Sequence, residues 1–234
     1  MSDAATIVLV HGGFLGPWIW QGVQHRLESR GVRAIAPDLP SVGDRGGDLH
    51  DDVAAVREAL GAAGPAVLCG HSYAGVVITQ AAAGPGVEVT RLAYLAAAIP
   101  DEGQSMQALA ASLGLTGDDG GEEVAVLPGG GIALKPGAAR HSLFHDCPPH
   151  RADAAIRLLR PVNPAAGAQP VTHAAWHHIP ATLIEASDDR LPRLVCPGFD
   201  SAPHDVLTIP AGHCPQWSCP DLVADALCEM VLTE

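Results

Sequence analysis

The chain has 234 residues, 47% of them apolar and 17% charged, a composition that excludes a disordered chain or a small disulfide scaffold and predicts one compact domain with a large core. Its formal net charge is −13, and the 13 basic residues form no cluster that could track phosphates, which argues against nucleic acid and anionic membranes as partners. The longest apolar runs, residues 7–10 and 92–100, fall short of the roughly 20 residues that span a bilayer, so no membrane helix is expected.

The first predicted strand, residues 6–10, runs into His11-Gly12-Gly13-Phe14. A glycine pair at a strand end lets backbone amides face a small oxyanion, with Gly13 N–H the candidate donor, while His11 is expected to hold the loop. Helical spacing over 18–29 leads to a second strand at 32–36, and a second helix over 49–62 places Val53, Val56 and Leu60 on one face. The third strand, 66–69, enters Gly70-His71-Ser72-Tyr73-Ala74-Gly75 and then a helix over 76–83. A serine between small residues at a strand-to-helix turn can sit in strained backbone with its hydroxyl exposed, the helix N-terminus aimed at charge forming beside it. Ala74 replaces the usual glycine at plus two; Tyr73 N–H is the second candidate oxyanion donor, and His71 is expected to point away from the reacting centre.

After a fourth strand at 91–95 the alternation breaks. Residues 101–178 contain helical pieces at 104–113 and 152–159, an acidic glycine-rich loop at 117–123 and a Pro-Gly run at 128–131, with no strand that fits. This segment is expected to be a mostly helical cap over the carboxyl edge of the sheet, where ligands of open α/β folds bind; residues 1–100 and 179–234 form the core. A fifth strand at 181–185 is followed by two carboxylates, Asp188 and Asp189. The sixth, 206–209, runs into Gly212-His213, where a general base can reach a serine on a neighbouring strand end, and a helix over 221–232 closes the chain. Strands alternating with helices predict a parallel sheet covered on both faces.

Residues 70–75, residues 11–14, Tyr94-Leu95-Ala96, and Gly212-His213-x-Pro with Pro220 five residues beyond Pro215 resemble the α/β-hydrolase superfamily over the whole chain. Within it the sequence looks most like the group of bacterial esterases, plant methyl-salicylate and methyl-jasmonate esterases, and hydroxynitrile lyases. The resemblance implies the α/β-hydrolase fold, a six-stranded, mainly parallel sheet flanked by helices with a cap. It also implies Ser72 as nucleophile, His213 as base, and Gly13 and Tyr73 as the oxyanion hole. An ungapped alignment of residues 179–182 with the family's pre-acid strand puts the acid at Asp189, whereas a register set on Pro192 chooses Asp188; some relatives place the acid after the fourth strand, near Asp101. The lyases of this group carry a threonine after the upstream histidine and a lysine after the catalytic one, where this chain has Gly12 and Cys214, and the halide- and epoxide-cleaving relatives need an aspartate where Ser72 stands.

The expected activity is hydrolysis of a small, mostly apolar carboxylic ester, lactones and thioesters included, through an acyl-Ser72 intermediate. A lyase or cyclase of secondary metabolism using His213 and Asp189 as base is the second reading, and a small-molecule receptor the third. Phe14, Trp18, His145, Trp176 and Trp217 are the candidate pocket residues. No metal or organic cofactor is implied; a small-molecule substrate is the expected partner, and self-association as a homodimer is left open. Cys69, Cys147, Cys196, Cys214, Cys219 and Cys228 include no Cys-x-x-Cys pair, and Asp3 precedes the first apolar run without a basic leader, so free thiols and a cytoplasmic setting are expected.

Overall fold

The computed structural model describes residues 5–115 and 123–232, so all but Glu123 of the predicted acidic loop lies outside the described residues. Six strands form one sheet: β1 (Thr6–Val10), β2 (Arg33–Ile35), β3 (Ala66–His71), β4 (Val89–Leu95), then, after the inserted segment, β7 (Ala181–Ala186) and β8 (Asp205–Ile209). Their order is β2-β1-β3-β4-β7-β8, and every pair is parallel. All six match the strands expected from the sequence.

The sheet is covered on both faces because its strands are apolar on both. Along β1, Val8 and Val10 enter one core with Leu68 of β3, while Ile7 and Leu9 enter the other with Val67 and Cys69. The first core takes α2 (Leu49–Ala63) and α3 (Ala74–Ala81) through Val53, Val56, Leu60, Val77 and Ile78. The second takes α1 (Gln21–Ser29) and α10 (Pro220–Leu232) through Val23, Leu27, Val223 and Leu227. Helix α2 starts at a capping box in which the Asp48 carboxylate accepts from the N–H groups of His50 and Asp51, and Asp51 accepts from that of Asp48. No helix among the described residues is long and apolar enough to cross a membrane.

Between β4 and β7 lie α4 (Met106–Ser112), α5 (Pro136–Ser142), α6 (Pro149–Ile156) and α7 (Ala165–Ala168). The expectation of a segment without strands is corrected here. Residues β5 (Val124–Val126) and β6 (Ile132–Leu134) form an antiparallel hairpin, with Val124 opposite Leu134 and Val126 opposite Ile132. Its turn is the Pro-Gly run, where Gly129 and Gly130 take φ of 97° and 88°, a region that glycine enters without strain. Three-residue strands are too short for alternation to stand out, but the two apolar runs flanking that turn were the available signal. Helices α8 (Pro197–Ser201) and α9 (Pro215–Ser218) follow β7 and β8 respectively.

The segment is tied to the sheet's carboxyl edge at several points. Arg160 donates its N–H to Phe14 O at 2.8 Å, and its guanidinium to Leu15 O from Nε at 3.0 Å and Nη2 at 2.8 Å. Val162 exchanges backbone hydrogen bonds with Ile132 of β6 at 2.8 and 2.9 Å, and Asn163 N–H donates to Ser41 O at 2.8 Å. The hairpin is thereby stitched to the loops after β1 and β2.

Candidate active site

Ser72 occupies the turn from β3 to α3 at φ 55°, in the left-handed region that costs a non-glycine residue of order 1–3 kcal/mol. The turn closes because its neighbours lack side chains. A Cβ on Gly70 would stand 2.7 Å from Ala74 O, and one on Gly75 would stand 2.2 Å from Ala98 O, both impossible distances. The Ser72 carbonyl accepts from Gly75 N–H and Ala98 N–H, each at 3.0 Å. Ala74 is fully buried at the plus-two position, so alanine is compatible with the turn.

The loop after β8 brings His213 to this serine. His213 Nε2 lies 2.9 Å from Ser72 Oγ, and His213 Nδ1 lies 2.7 Å from Asp189 Oδ2. Asp189 Oδ1 accepts from Leu191 N–H at 2.8 Å. Burial alone pushes the Asp189 carboxyl upward, but the hydrogen bond and charge of His213, with Leu191 N–H, outweigh it and leave the group below its ordinary value. Asp188 is exposed and its carboxylate makes no hydrogen bond to His213: its N–H donates to Ala211 O at 3.0 Å and its carbonyl accepts from His145 Nε2 at 3.0 Å. Asp101 pairs with His177 at 2.8 Å, on a different part of the surface.

Two other histidines support these loops. His11 is fully buried, with Nδ1 2.9 Å from Gly12 O and Nε2 accepting from Leu39 N–H at 3.1 Å, the loop-holding place expected of it. His71 does not point away from the centre as expected. Its Nε2–H donates to His213 O at 2.8 Å and its ring lies 4.9 Å from that of His213. Burial, then the neighbouring His213, pushes its pKa down to about 3, so His71 is neutral at ordinary pH.

On the other side of Ser72 a Cβ on Gly12 would stand 2.9 Å from Ser72 Cβ, so only glycine lets this loop approach the serine. Among the described residues neither Gly13 N–H nor Tyr73 N–H donates to a backbone carbonyl. The Tyr73 side chain runs to Asp52, a fully buried carboxylate of α2 that also accepts from Ser41: Tyr73 Oη at 2.8 Å, Ser41 Oγ at 2.6 Å and Ser41 N–H at 2.8 Å. Burial raises the Asp52 pKa against these donors. Sequence reasoning missed Asp52; a lone acidic residue on the apolar face of α2 was the signal.

A cavity of about 410 Å³ opens above Gly13, Ser72, Tyr73 and His213, walled mainly by apolar side chains that include Leu15, Val42, Met106, Ile132, Val162 and Leu191. A second, of about 580 Å³, shares Ser72, Tyr73, Met106, Leu191 and His213 and extends past Ala96, Ala97 and Ala98 toward β7 and β8. Of the five predicted pocket residues only Phe14 lines a cavity beside Ser72. Trp18 and Trp217 pack edge to face at 5.4 Å, with the Arg151 guanidinium 5.1 Å above Trp217. Trp176 stacks on His177 at 3.8 Å and donates to Pro100 O at 3.0 Å. His145 is spent on Asp188 O. These aromatic groups serve packing, whereas the cavity takes its walls from aliphatic residues that no local pattern distinguishes from core.

Compared with known proteins, the sequence matches the alpha/beta hydrolase family over residues 7–226. It is 31% identical to the alpha/beta hydrolase nvfD of Aspergillus novofumigatus over 236 residues, 93% of this chain and 92% of that protein. A carbendazim hydrolyzing esterase of a Nocardioides species is 34% identical over 113 residues, 45% of this chain and 47% of that one. Among solved structures a pyrethroid hydrolase from Sphingobium faniae superposes with a TM-score of 0.81 at 23% identity, covering 99% of this chain and 98% of the other, a likeness of fold.

Proposed function

Since the chain belongs to the alpha/beta hydrolase family, we propose that it is a serine esterase cleaving a small, mostly apolar carboxylic ester, with lactones and thioesters as related substrates. Relatives named as hydrolases and esterases support a hydrolase in general terms. The observation that carries the finer reading is the pair of hydrogen bonds from Ser72 through His213 to Asp189, at 2.9 and 2.7 Å, beneath an apolar cavity.

In this mechanism Ser72 Oγ attacks the ester carbonyl carbon while His213 Nε2 takes the hydroxyl proton. The carbonyl oxygen becomes an oxyanion, and the free N–H groups of Gly13 and Tyr73 are the donors that receive it, acting beside mainly apolar walls where such donors are stronger than in bulk water. Asp189 holds the imidazole with Nδ1–H toward itself and stabilises the imidazolium. His213 then gives its proton to the leaving alcohol oxygen, and the reverse sequence with water frees the acid and restores Ser72. The strained backbone at Ser72 presents Oγ to the cavity, and no cofactor enters any step.

The test is turnover of short-chain aryl esters together with a serine-directed phosphonate. Ser72→Ala is expected to abolish turnover, and the wild-type protein to gain one phosphonyl mass, located on Ser72. Labelling without turnover of any ester, lactone or thioester would favour non-hydrolytic chemistry. A Ser72→Ala protein that still converts its substrate while His213→Ala does not would overturn the acyl-enzyme.

A further inference from the structure

The loops carrying Asp189 and His213 leave adjacent parallel strands, and their pairing continues past the strand ends: Ser187 N–H donates to Ile209 O at 2.9 Å and Asp188 N–H to Ala211 O at 3.0 Å. Two backbone groups then face outward, Asp188 C=O and Gly212 N–H. Both are taken by consecutive residues of the inserted segment. His145 Nε2–H donates to Asp188 O at 3.0 Å, and Asp146 Oδ2 accepts from Gly212 N–H at 2.7 Å.

We propose that His145 and Asp146 are positioning residues, a brace by which the inserted segment locks the Asp189 loop and the His213 loop into the register that their hydrogen bond requires. The proposal rests on the reading of His213 and Asp189 as the acid–base pair. The two residues occupy the centre of a turn closed by Cys147 N–H to Phe144 O at 3.1 Å, and Phe144 is fully buried, so the brace is anchored in the core. Gly212 is shaped to receive it: a Cβ there would stand 2.8 Å from His145 Nε2 and 3.0 Å from Asp146 Cγ. The glycine preceding His213 thus makes room for residues 66 and 67 positions earlier in the chain. His71 holds the His213 carbonyl at 2.8 Å, so the backbone of Gly212 and His213 is held at both residues. Loosening one grip shifts the imidazole relative to both Asp189 and Ser72, and misplacements of about 1 Å cost up to roughly a hundredfold in rate.

The experiment compares Asp146→Ala with Asp146→Asn, and His145→Leu with His145→Gln, because asparagine keeps an acceptor for Gly212 N–H and glutamine keeps a donor for Asp188 O. With an aryl acetate, the alanine and leucine variants should lose about tenfold in kcat at a KM changed by less than about twofold, and the asparagine and glutamine variants should regain most of the loss. A second readout is independent of turnover: the low-field proton resonance of His213 Nδ1–H should move upfield or broaden in Asp146→Ala and return in Asp146→Asn. Wild-type kcat and an unmoved resonance in Asp146→Ala overturn the brace, as do folded Asn and Ala variants with equal defects. If the wild-type protein neither turns over esters nor takes phosphonate on Ser72, the esterase reading fails, and the resonance alone decides the brace by the same two outcomes.

Discussion

Asp188 and Asp189 are chemically identical neighbours, and the difference between them lies in what each meets. Asp189 Oδ2 meets His213 Nδ1 at 2.7 Å, while the Asp188 backbone is bound to Ala211 and His145. With Asp189 as the acid, Asp189→Asn is expected to lower kcat about ten-thousandfold, since the amide presents no charge to the imidazolium and favours the wrong tautomer. Asp188→Asn should keep most of the activity, because its contacts run through the main chain. Steady-state kinetics of the two variants check this, and equal losses would sink the assignment.

At the scale of elements, the turn between β3 and α3 depends on Gly75 more than on the residue at plus two. A methyl group on Gly75 would overlap Ala98 O, so Gly75→Ala is expected to destabilise the protein by about 1–3 kcal/mol through forced displacement of the strand-end loop after β4. Urea unfolding would show it as a lower midpoint at unchanged slope. Arg160 joins the hairpin segment to the loop after β1 by two hydrogen bonds to Leu15 O and an ion pair with Asp38, whose Oδ1 lies 2.6 Å from Nη2. Arg160→Met should cost about 1–3 kcal/mol by leaving the buried Leu15 carbonyl short of donors. Arg160→Lys should recover only part of that, since a point charge cannot reproduce the planar fork; a lysine variant with the wild-type midpoint would contradict this account.

For the whole molecule, acid stability follows from the buried His71. Its folded pKa is about 3 against an ordinary value near 6.5, so below pH 6.5 the unfolded chain takes up a proton that the folded one refuses. Stability attributable to this group is fully present above pH 6.5 and is lost as pH falls toward 3, by about 1.4 kcal/mol per pH unit. His71→Gln, which keeps an N–H for His213 O but cannot be protonated, should show a shallower decline between pH 6 and 4 in chemical denaturation. Parallel wild-type and variant curves over that interval would mean that His71 is not the group responsible.

All six strands and the helices on both sheet faces were legible in the sequence by itself, and the sequence also named Ser72 and His213, which the fold brings to 2.9 Å of each other. These rest on short-range signals: apolar runs of strand length, helical periodicity, and small residues beside Ser72 where a side chain would fall within 3 Å of neighbouring backbone. Gly13 and Tyr73 were likewise named from their places beside a strand end and a turn. Only the tertiary structure decided which carboxylate faces His213, because that depends on Asp188 N–H pairing with Ala211 O, a register between loops more than twenty residues apart in sequence. It also replaced the expected aromatic pocket with aliphatic walls, revealed the hairpin of residues 124–134, turned His71 toward His213 and showed Asp52 beneath Tyr73. The hairpin is local, but its three-residue strands are too short for alternation to stand out; the others depend on contacts between segments well separated in the chain, and periodicity records which face a residue buries without recording what lies opposite it.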